Sequence, residues 1–139
     1  LVDTVVCLNV LEHVEDDQHA LRNIQNVLEP GGRAIILVPQ NQRIYGELDA
    51  VLGHARRYSE TELLRKMTAA GFQVEELFDF NRVTTPGWWW NGRVLKRRTF
   101  SPFQLQIFDW LVPVWKCVDR WLPWKGASLI AVGRKPRST

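Results

Sequence analysis

The sequence predicts an α/β fold with a doubly wound sheet, and two segments carry that prediction. Residues 2–39 read as a strand, an amphipathic helix and a second strand, which together form one parallel crossover unit. Residues 59–80 then read as a capped helix followed by another strand. Because a strand–helix–strand connection is almost always right-handed, the first two strands are expected side by side with their helix on one face.

The first unit has a clear signal for each of its elements. A β-branched, apolar run at residues 2–8 predicts a strand covered on both faces. Asp16 or Asp17 is expected to cap the following helix, and Pro30-Gly31-Gly32 to end it. The uninterrupted apolar run at 34–38 predicts the second strand. The apolar stripe of the helix consists of Ala20, Leu21, Ile24, Val27 and Leu28.

The second segment follows a connection with mixed signals. A short amphipathic helix is expected there from Ile44, Leu48, Val51 and Leu52. Ser59 and Glu62 form a capping-box signature, with Ser59 as the cap and Glu62 reaching back, and Gly71 marks the end of that helix. The strand at 72–80 alternates, so one face is expected to carry Phe72, Val74, Phe78 and Phe80.

Composition limits the class of protein. With 139 residues, 45% hydrophobic and 24% charged, the chain is ordinary for one globular domain. A net charge of +3 gives no indication of nucleic acid, and none is expected as a partner. The two cysteines, Cys7 and Cys117, are interpreted as reduced thiols, which predicts a cytoplasmic protein.

A tryptophan-rich segment, residues 84–125, interrupts the α/β pattern. It holds all seven tryptophans, with Arg93, Lys96, Arg97 and Arg98 between their two groups. Residues 103–122 are largely apolar, but their charges break them short of a membrane span. Two helices meeting near Pro113 are expected instead.

Three interpretations of this segment compete. In the first it is a helical cap over a substrate pocket and its tryptophans are core. In the second, residues 88–124 dock on the inner face of a membrane, with Trp at the interface and Arg and Lys against anionic headgroups. The third, nucleic-acid binding, is the weakest because Asp109 and Asp119 interrupt the basic field.

The strings DTVVCLNVLEHV, LEPGG and RAIILVP resemble class I S-adenosylmethionine-dependent methyltransferases, especially the small-molecule, ubiquinone-pathway kind. GHARRYSETELLRKMTAAGFQVEELFDFN and SLIAVGRK resemble later blocks of that family, in the family's order. The resemblance implies a partial Rossmann-like sheet, strands four to seven of seven with the last antiparallel. Residues 1–139 would then form the C-terminal part of one methyltransferase domain, with 84–125 as a helical insertion or cap.

The family's glycine-rich turn after strand one and its ribose-binding acid are not found in the sequence, since Gly31-Gly32 follows a helix and precedes a strand. We therefore expect the chain to start inside its domain and to be inactive alone. The edge of its first strand is then expected to be unpaired.

The resemblance also implies the cofactor, S-adenosylmethionine, and its contacts. Leu8, Asn9 and Val10 match the end of strand four, which contacts the cofactor's methionine or adenosine portion. From the residues alone, Asn9 is a polar side chain that closes an apolar strand and needs hydrogen-bond partners. A ligand, a helix cap or a loop carbonyl would each satisfy it.

His13 and His54 are the candidate catalytic bases, because imidazole titrates near working pH. A purely structural role, in which His13 braces its loop, stands beside that hypothesis. In some ubiquinone-pathway relatives a Glu at the position of Asn9 joins the Glu and His that match Glu12 and His13 to hold a divalent cation. Here the Glu is replaced, so no metal site is expected.

Arg57 and Tyr58 are the candidate substrate-binding residues, because the resemblance places their loop over the substrate opening. Arg57 can hold an anionic group by a bidentate contact. The alternative is a solvated loop whose arginines pair with nearby acids.

The function predicted is methyl transfer to a small-molecule or lipid-linked acceptor. The alternative is a non-catalytic membrane- or partner-binding module built on a methyltransferase remnant. Neither the acceptor nor the oligomeric state follows from the sequence.

Overall fold

A computed structural model describes residues 1–137 as a four-stranded sheet with helices around it. The strands are β1 (Val2–Leu8), β2 (Leu28–Pro39), β3 (Gln73–Phe80) and β4 (Ser128–Arg134). The helices are α1 (Asp17–Val27), α2 (Glu47–Val51), α3 (Glu60–Ala69), α4 (Thr84–Trp89) and α5 (Pro102–Val118). Short 3-10 turns lie at Leu11–His13, Gln42–Ile44 and Asp119–Trp121, and a π turn at Trp90–Val94.

The strand order is β1-β2-β4-β3. β1 and β2 are parallel, and β4 runs antiparallel to both β2 and β3. The expected α/β sheet with an antiparallel last strand is therefore confirmed. Ser128 at the start of β4 pairs with Pro39 and Phe80, so the ends of β2 and β3 lie at the same sheet edge as the end of β1.

One boundary of the first unit differs from its prediction. The side chain of Asp16 caps α1 by accepting from the backbone N–H of His19 at 2.8 Å, as expected. However, α1 ends at Val27, and Pro30-Gly31-Gly32 lies inside β2 instead of forming the helix stop. Gly31 has φ +88°, and the pairing of β1 with β2 shifts at this point, so these residues form an irregular strand start.

The core lies between the sheet and the two helices α1 and α3. Its fully buried side chains come from every layer: Leu21, Leu28, Ala34, Ile36, Val38, Leu63, Met67, Leu129 and Ala131. β4, which carries the SLIAVGRK string, is thus a central strand of the core.

β3 departs from simple alternation. Its pairing with β4 shifts between Val74 and Glu76. A bulge of this kind moves later side chains to the opposite face. Leu77 consequently packs on the core, whereas Phe78, expected inside, is 47% exposed.

The capping box of α3 and the short amphipathic helix before it are each confirmed only in part. Ser59 caps α3, accepting from Glu62 N–H at 3.1 Å, but the Glu62 carboxylate pairs with Lys66. In the predicted short amphipathic helix, Ile44 and Leu48 are buried, while Val51 and Leu52 are exposed.

The insertion contains one long helix where two were expected. α5 runs unbroken through Pro113, which lies far enough into the helix to remove one internal hydrogen bond without ending it. Ser101 and Gln104 cap its start as a full capping box. No residue of α5 is buried, and no helix among residues 1–137 is both long and apolar enough to cross a membrane.

The tryptophans of the insertion are mostly on the surface. Trp110 and Trp121 are 80% and 75% exposed, and Trp89, Trp90 and Trp124 are exposed as well. Trp88 and Trp115 are half-buried. In the chain as described, the tryptophans are therefore not a collective core.

Candidate functional site

The sheet edge at the end of β1 brings Glu12, His13 and His54 together. Glu12 and His13 lie on the 3-10 turn that follows β1, and His54 follows α2. The two imidazole rings meet edge to face, with centroids 5.1 Å apart. The Nε2 atoms of His13 and His54 lie 3.9 and 3.8 Å from the same oxygen, Oε1 of Glu12.

The Glu12 carboxylate is the unusual member of this cluster. It is 0% exposed, and neither of its oxygens has a hydrogen-bond partner among the described residues. A buried carboxylate without a partner costs several kcal/mol, so native proteins rarely keep one without a functional reason.

Hydrogen bonds fix the orientation of both histidines. His13 Nδ1 lies 2.9 Å from the Gly53 carbonyl oxygen, and His54 Nδ1 lies 3.1 Å from Asp49 Oδ1. Carbonyl and carboxylate oxygens only accept, so each Nδ1 must carry the proton and each neutral ring leaves Nε2 as an acceptor. With both rings neutral, three acceptors, two nitrogens and one carboxylate oxygen, lie close together, and each nitrogen is 3.8 to 3.9 Å from the oxygen.

Asp49 connects this cluster to the rest of the edge. Its carboxylate is fully buried in α2. Oδ1 accepts from His54 and from Arg57 Nε at 2.7 Å, while Oδ2 accepts from Gly46 N–H at 3.1 Å and from Trp88 Nε1 at 2.9 Å. Asp49 therefore contacts His54, the buried guanidinium of Arg57, and, through Trp88, the insertion.

The guanidinium of Arg57 is hydrogen-bonded within the protein. The residue is 4% exposed, and besides Asp49 its guanidinium binds the Gln40 carbonyl at 2.9 Å. Burial lowers the pKa of its guanidinium, and the charge of Asp49 partly opposes this. The guanidinium carbon also lies 4.9 Å from the centre of the Trp88 ring. The contact with an anionic substrate that the sequence suggested would have to compete with all of these partners.

The hydroxyl of Tyr58 is also hydrogen-bonded within the protein. The residue is 1% exposed, and its hydroxyl donates to Asp17 Oδ2 at 2.7 Å. Burial, together with this hydrogen bond, raises the pKa of the hydroxyl far above its usual value. Arg57 and Tyr58 nonetheless border a groove of about 920 Å³ at the end of β2, which Arg43, Arg56, Glu60 and Lys125 also line.

Leu8, Asn9 and Val10, the expected cofactor contacts, form an accessible strip. Leu8 and Val10 are 50% and 48% exposed, and Asn9 is exposed with φ +52°. β1 is an edge strand of the described sheet, so the strip faces open space. Exposed apolar side chains beside a free amide fit one wall of a site for a nucleoside with an amino-acid tail.

A bound metal ion is a second possible partner for the unpaired atoms of Glu12, His13 and His54. One ligand atom each from Glu12, His13 and His54 lies within 4.8 Å of the others. Imidazole and carboxylate groups together suit a transition metal better than Mg²⁺. The expectation of no metal site therefore needs a direct test.

Sequence reasoning proposed His13 and His54 separately and did not predict that they would meet. Glu12 was named only as the match of a cation-binding Glu in relatives, and Asp49 was not predicted. The available signal for Asp49 was an acid three residues after Gly46 at the start of a short helix. That pattern indicates a cap, and nothing in it points to His54, Arg57 or Trp88.

Comparisons with known proteins show what the chain is similar to. A family model described as "Methyltransferase domain" matches residues 1–77. A Mycolicibacterium smegmatis protein named "Probable S-adenosylmethionine-dependent methyltransferase" is 32% identical over 77 residues, which are 54% of this chain and 30% of that protein. The chain thus aligns with less than a third of the curated relative's length.

Solved structures share the fold at low sequence identity. A Thermotoga maritima SAM-dependent methyltransferase matches 96% of this chain and 56% of its own, at 19% identity and a TM-score of 0.61. Phosphoethanolamine N-methyltransferase 2 of Haemonchus contortus, solved with S-adenosyl-L-methionine, matches 97% of this chain and 33% of its own, at 12% identity and a TM-score of 0.55. The chain therefore belongs to the methyltransferase domain family, and its assignment to the class I S-adenosylmethionine-dependent methyltransferases is confirmed.

Proposed function

We propose that the protein containing this chain transfers a methyl group from S-adenosylmethionine to a small-molecule or lipid-linked acceptor. The observation that carries the proposal is the convergence of three acceptor atoms, from Glu12, His13 and His54, on a place without a donor. An acceptor molecule with an O–H or N–H group supplies the missing donor.

Bound S-adenosylmethionine would supply its sulfonium methyl group to the acceptor's nucleophilic atom and would leave as the neutral thioether. Leu8 and Val10 provide apolar contact for it, and the free Asn9 amide provides hydrogen bonds. Aligning donor and acceptor in a dry pocket is the larger part of such catalysis and is worth several kcal/mol.

His54 is the proposed general base. Asp49 accepts from its Nδ1–H and so holds the ring with Nε2 toward the cluster. When the acceptor's hydroxyl or ammonium gives up its proton, Nε2 takes it, and the nearby Glu12 and Asp49 carboxylates stabilise the imidazolium. His13 is oriented by Gly53 and receives the same hydroxyl or amine as a hydrogen-bond acceptor.

The three histidines of the chain provide the test. We would incubate the whole natural protein with S-adenosylmethionine carrying a radiolabelled methyl group and with polar or lipid fractions of its host cells. His54→Asn should reduce labelling about a hundredfold or more, and His13→Asn should also reduce it. His19→Asn is the control, because His19 is exposed on α1 away from the cluster. Equal labelling by all three variants would refute the assignment, and rescue or loss of labelling on metal addition or chelation would identify a cation instead.

A second candidate function, membrane docking, is favoured by α5 and its flanks. An exposed apolar stripe at helical spacing runs along α5 and the turn after it: Phe103, Ile107, Trp110, Val114, Val118 and Trp121. The segment 84–125 carries seven Lys and Arg against two Asp and Glu, whereas the rest of the chain carries eleven against thirteen. An apolar stripe on the basic part of an otherwise acidic chain suits an anionic lipid surface.

Flotation on liposomes tests this second function. The chain should float with vesicles containing phosphatidylglycerol and much less with purely zwitterionic ones. Phe103→Ser should abolish flotation, whereas Phe78→Ser, at an exposed phenylalanine of β3, should not. If the wild-type chain stays at the bottom with anionic vesicles, the membrane contact is refuted.

Titration with S-adenosylmethionine separates the enzyme from a non-catalytic module. We expect no binding tighter than millimolar by the chain alone, and micromolar binding by the whole natural protein. A whole protein that floats with lipid but binds no S-adenosylmethionine would favour the module built on a methyltransferase remnant.

A further inference from the structure

The buried carboxylate of Asp49 accepts hydrogen bonds from four residues, and one of the four belongs to the insertion. Gly46, His54 and Arg57 lie within eight positions of Asp49 along the chain. Trp88, whose indole Nε1–H donates to Oδ2 at 2.9 Å, is 39 positions away. Asp49 is 0% exposed, and a carboxylate at that depth depends on protein donors. The insertion therefore completes the hydrogen bonding of a carboxylate that belongs to α2.

The two oxygens of this carboxylate have different partners, and this fixes its orientation. Oδ1 accepts from His54 at 3.1 Å and from Arg57 at 2.7 Å. Oδ2 accepts from Gly46 and from Trp88. Without Trp88, the backbone N–H of Gly46 would be the remaining described donor to Oδ2, and the carboxylate would be freer to rotate. The bond from Trp88 thus helps to keep Oδ1 directed at the imidazole of His54.

Trp88 also contacts the second cationic partner of Asp49. The guanidinium carbon of Arg57 lies 4.9 Å from the centre of the indole ring, where the ring electrons attract a cation. Arg57 and His54 share Oδ1, so a displaced guanidinium would disturb the bond to His54 as well. A phenylalanine offers a ring face but no N–H, whereas an indole offers both. The residue type at position 88 therefore suits both contacts.

Contacts near both ends of the insertion fix the helix that carries Trp88. At its start, the Val83 N–H donates to Asp119 Oδ1 at 2.9 Å. One turn along, the Thr85 hydroxyl donates to the Lys125 carbonyl at 3.0 Å. Because α4 is held in this way, the position of Trp88 depends on the arrangement of the insertion as a whole.

We propose that Trp88 is a positioning residue of the methyltransferase site. By holding Asp49 it keeps the imidazole of His54 oriented, with Nε2 3.8 Å from Glu12 Oε1. This inference rests on the proposed role of His54 as base, and it adds that the base depends on the insertion. Trp88 acts through Asp49 and not on the cofactor, so its loss should slow methyl transfer without weakening the binding of S-adenosylmethionine.

A double-mutant cycle on the whole natural protein provides the first test. Trp88→Phe should lower the rate of labelling at saturating S-adenosylmethionine about tenfold, since one hydrogen bond to a charged group is lost, and should leave the KM for that cofactor unchanged. In a His54→Asn background Trp88→Phe should have no further effect, because the residue that it positions is gone. Trp89→Phe, at the exposed neighbour of Trp88, is the matched control and should behave like wild type. Equal losses from Trp88→Phe in both backgrounds would indicate a general structural effect and overturn the inference.

Exchange of the His54 Nδ1 proton with water separates this inference from the proposed function, because it requires no catalysis. In NMR spectra of the labelled 139-residue chain, the proton should exchange about tenfold faster in Trp88→Phe and at the wild-type rate in Trp89→Phe. Replacing Trp88 by 3-benzothienylalanine, which has sulfur in place of the indole N–H, should give the same result with the ring retained. Unchanged exchange in both Trp88 variants would overturn the inference even if His54 is the base. Faster exchange, together with normal labelling by His54→Asn, would support the positioning of the ring and refute the proposed base.

Discussion

The sheet and the insertion are built on opposite principles. The sheet, with α1 and α3, has a continuous core in which nine apolar side chains are entirely buried. The insertion has a 17-residue helix with no buried residue. Its contacts with the rest of the chain are largely polar and include Trp88 to Asp49, Asp119 to the Val83 N–H at 2.9 Å, and Lys125 to Glu60. The sheet is therefore stabilised by burial, whereas the insertion is positioned by polar contacts and leaves its apolar surface exposed.

The largest effect is expected at the anchor that joins the two regions. Asp49→Asn leaves the buried Arg57 guanidinium without its counter-charge, which should lower the free energy of unfolding by about 3–5 kcal/mol. Urea unfolding followed by circular dichroism measures this. Asp109→Asn, at an exposed acid of α5, should change stability by less than about 0.5 kcal/mol. Equal effects of the two variants would contradict the role of Asp49.

A matched isoleucine pair compares the two regions directly. Ile36 in β2 is 0% exposed and Ile107 in α5 is 43% exposed. Ile36→Ala should cost about 2–5 kcal/mol because it leaves a cavity, and Ile107→Ala about 0.5 kcal/mol or less. The urea midpoints of the two variants provide the measurement. A large loss at Ile107 would mean that α5 is part of the folding core.

A glycine pair tests the contact between Gly46 and Gly92, where the insertion meets the start of α2. A Cβ at Gly46 would lie 2.6 Å from the Gly92 carbonyl oxygen, whereas one at Gly87 meets no atom within 4 Å. Gly46→Ala should therefore push the insertion off α2 at a cost of about 1–3 kcal/mol, with a shift in tryptophan emission as Trp88 leaves Asp49. Gly87→Ala should leave both stability and emission near wild type. Unchanged emission in Gly46→Ala would show that the contact between Gly46 and Gly92 does not hold Trp88 against Asp49.

The smallest effect is a dependence of sheet stability on pH. Burial by itself would raise the pKa of Asp17, but hydrogen bonds from Lys66 and Tyr58 outweigh it and hold the pKa below its usual value. A carboxyl with a lowered pKa stabilises the fold above its unfolded pKa, near 4, and this stability is lost as the pH falls through the folded value.

Unfolding midpoints between pH 5 and pH 2 should therefore fall more steeply for wild type than for Asp17→Asn. Parallel profiles would show that other carboxyls dominate the acid response.

Much of the sheet was predictable, because local patterns determine it. The β-branched run of β1, the Asp16 cap and the Ser59 cap each form within a few residues of the chain. The β3 bulge that exposes Phe78, and the strand that continues through Gly31, depend on pairing with distant strands. No local pattern indicated either of them.

The site was less predictable than the fold. His13 and His54 are 41 positions apart, and only the packing of α2 against the end of β1 brings their rings to 5.1 Å. Arg57 and Tyr58 illustrate the reverse problem. Their residue types suggested substrate contacts, but both side chains are buried and their polar atoms are hydrogen-bonded to Asp49 and Asp17.

We propose that the strip at the end of β1, and not the insertion, faces the methyl donor. Amide NMR spectra of the isotopically labelled chain, recorded with millimolar S-adenosylmethionine, test it most directly. We expect shifts confined to Leu8, Asn9 and Val10 and to the turn that holds Glu12 and His13. Shifts confined to α4 and α5 would contradict it.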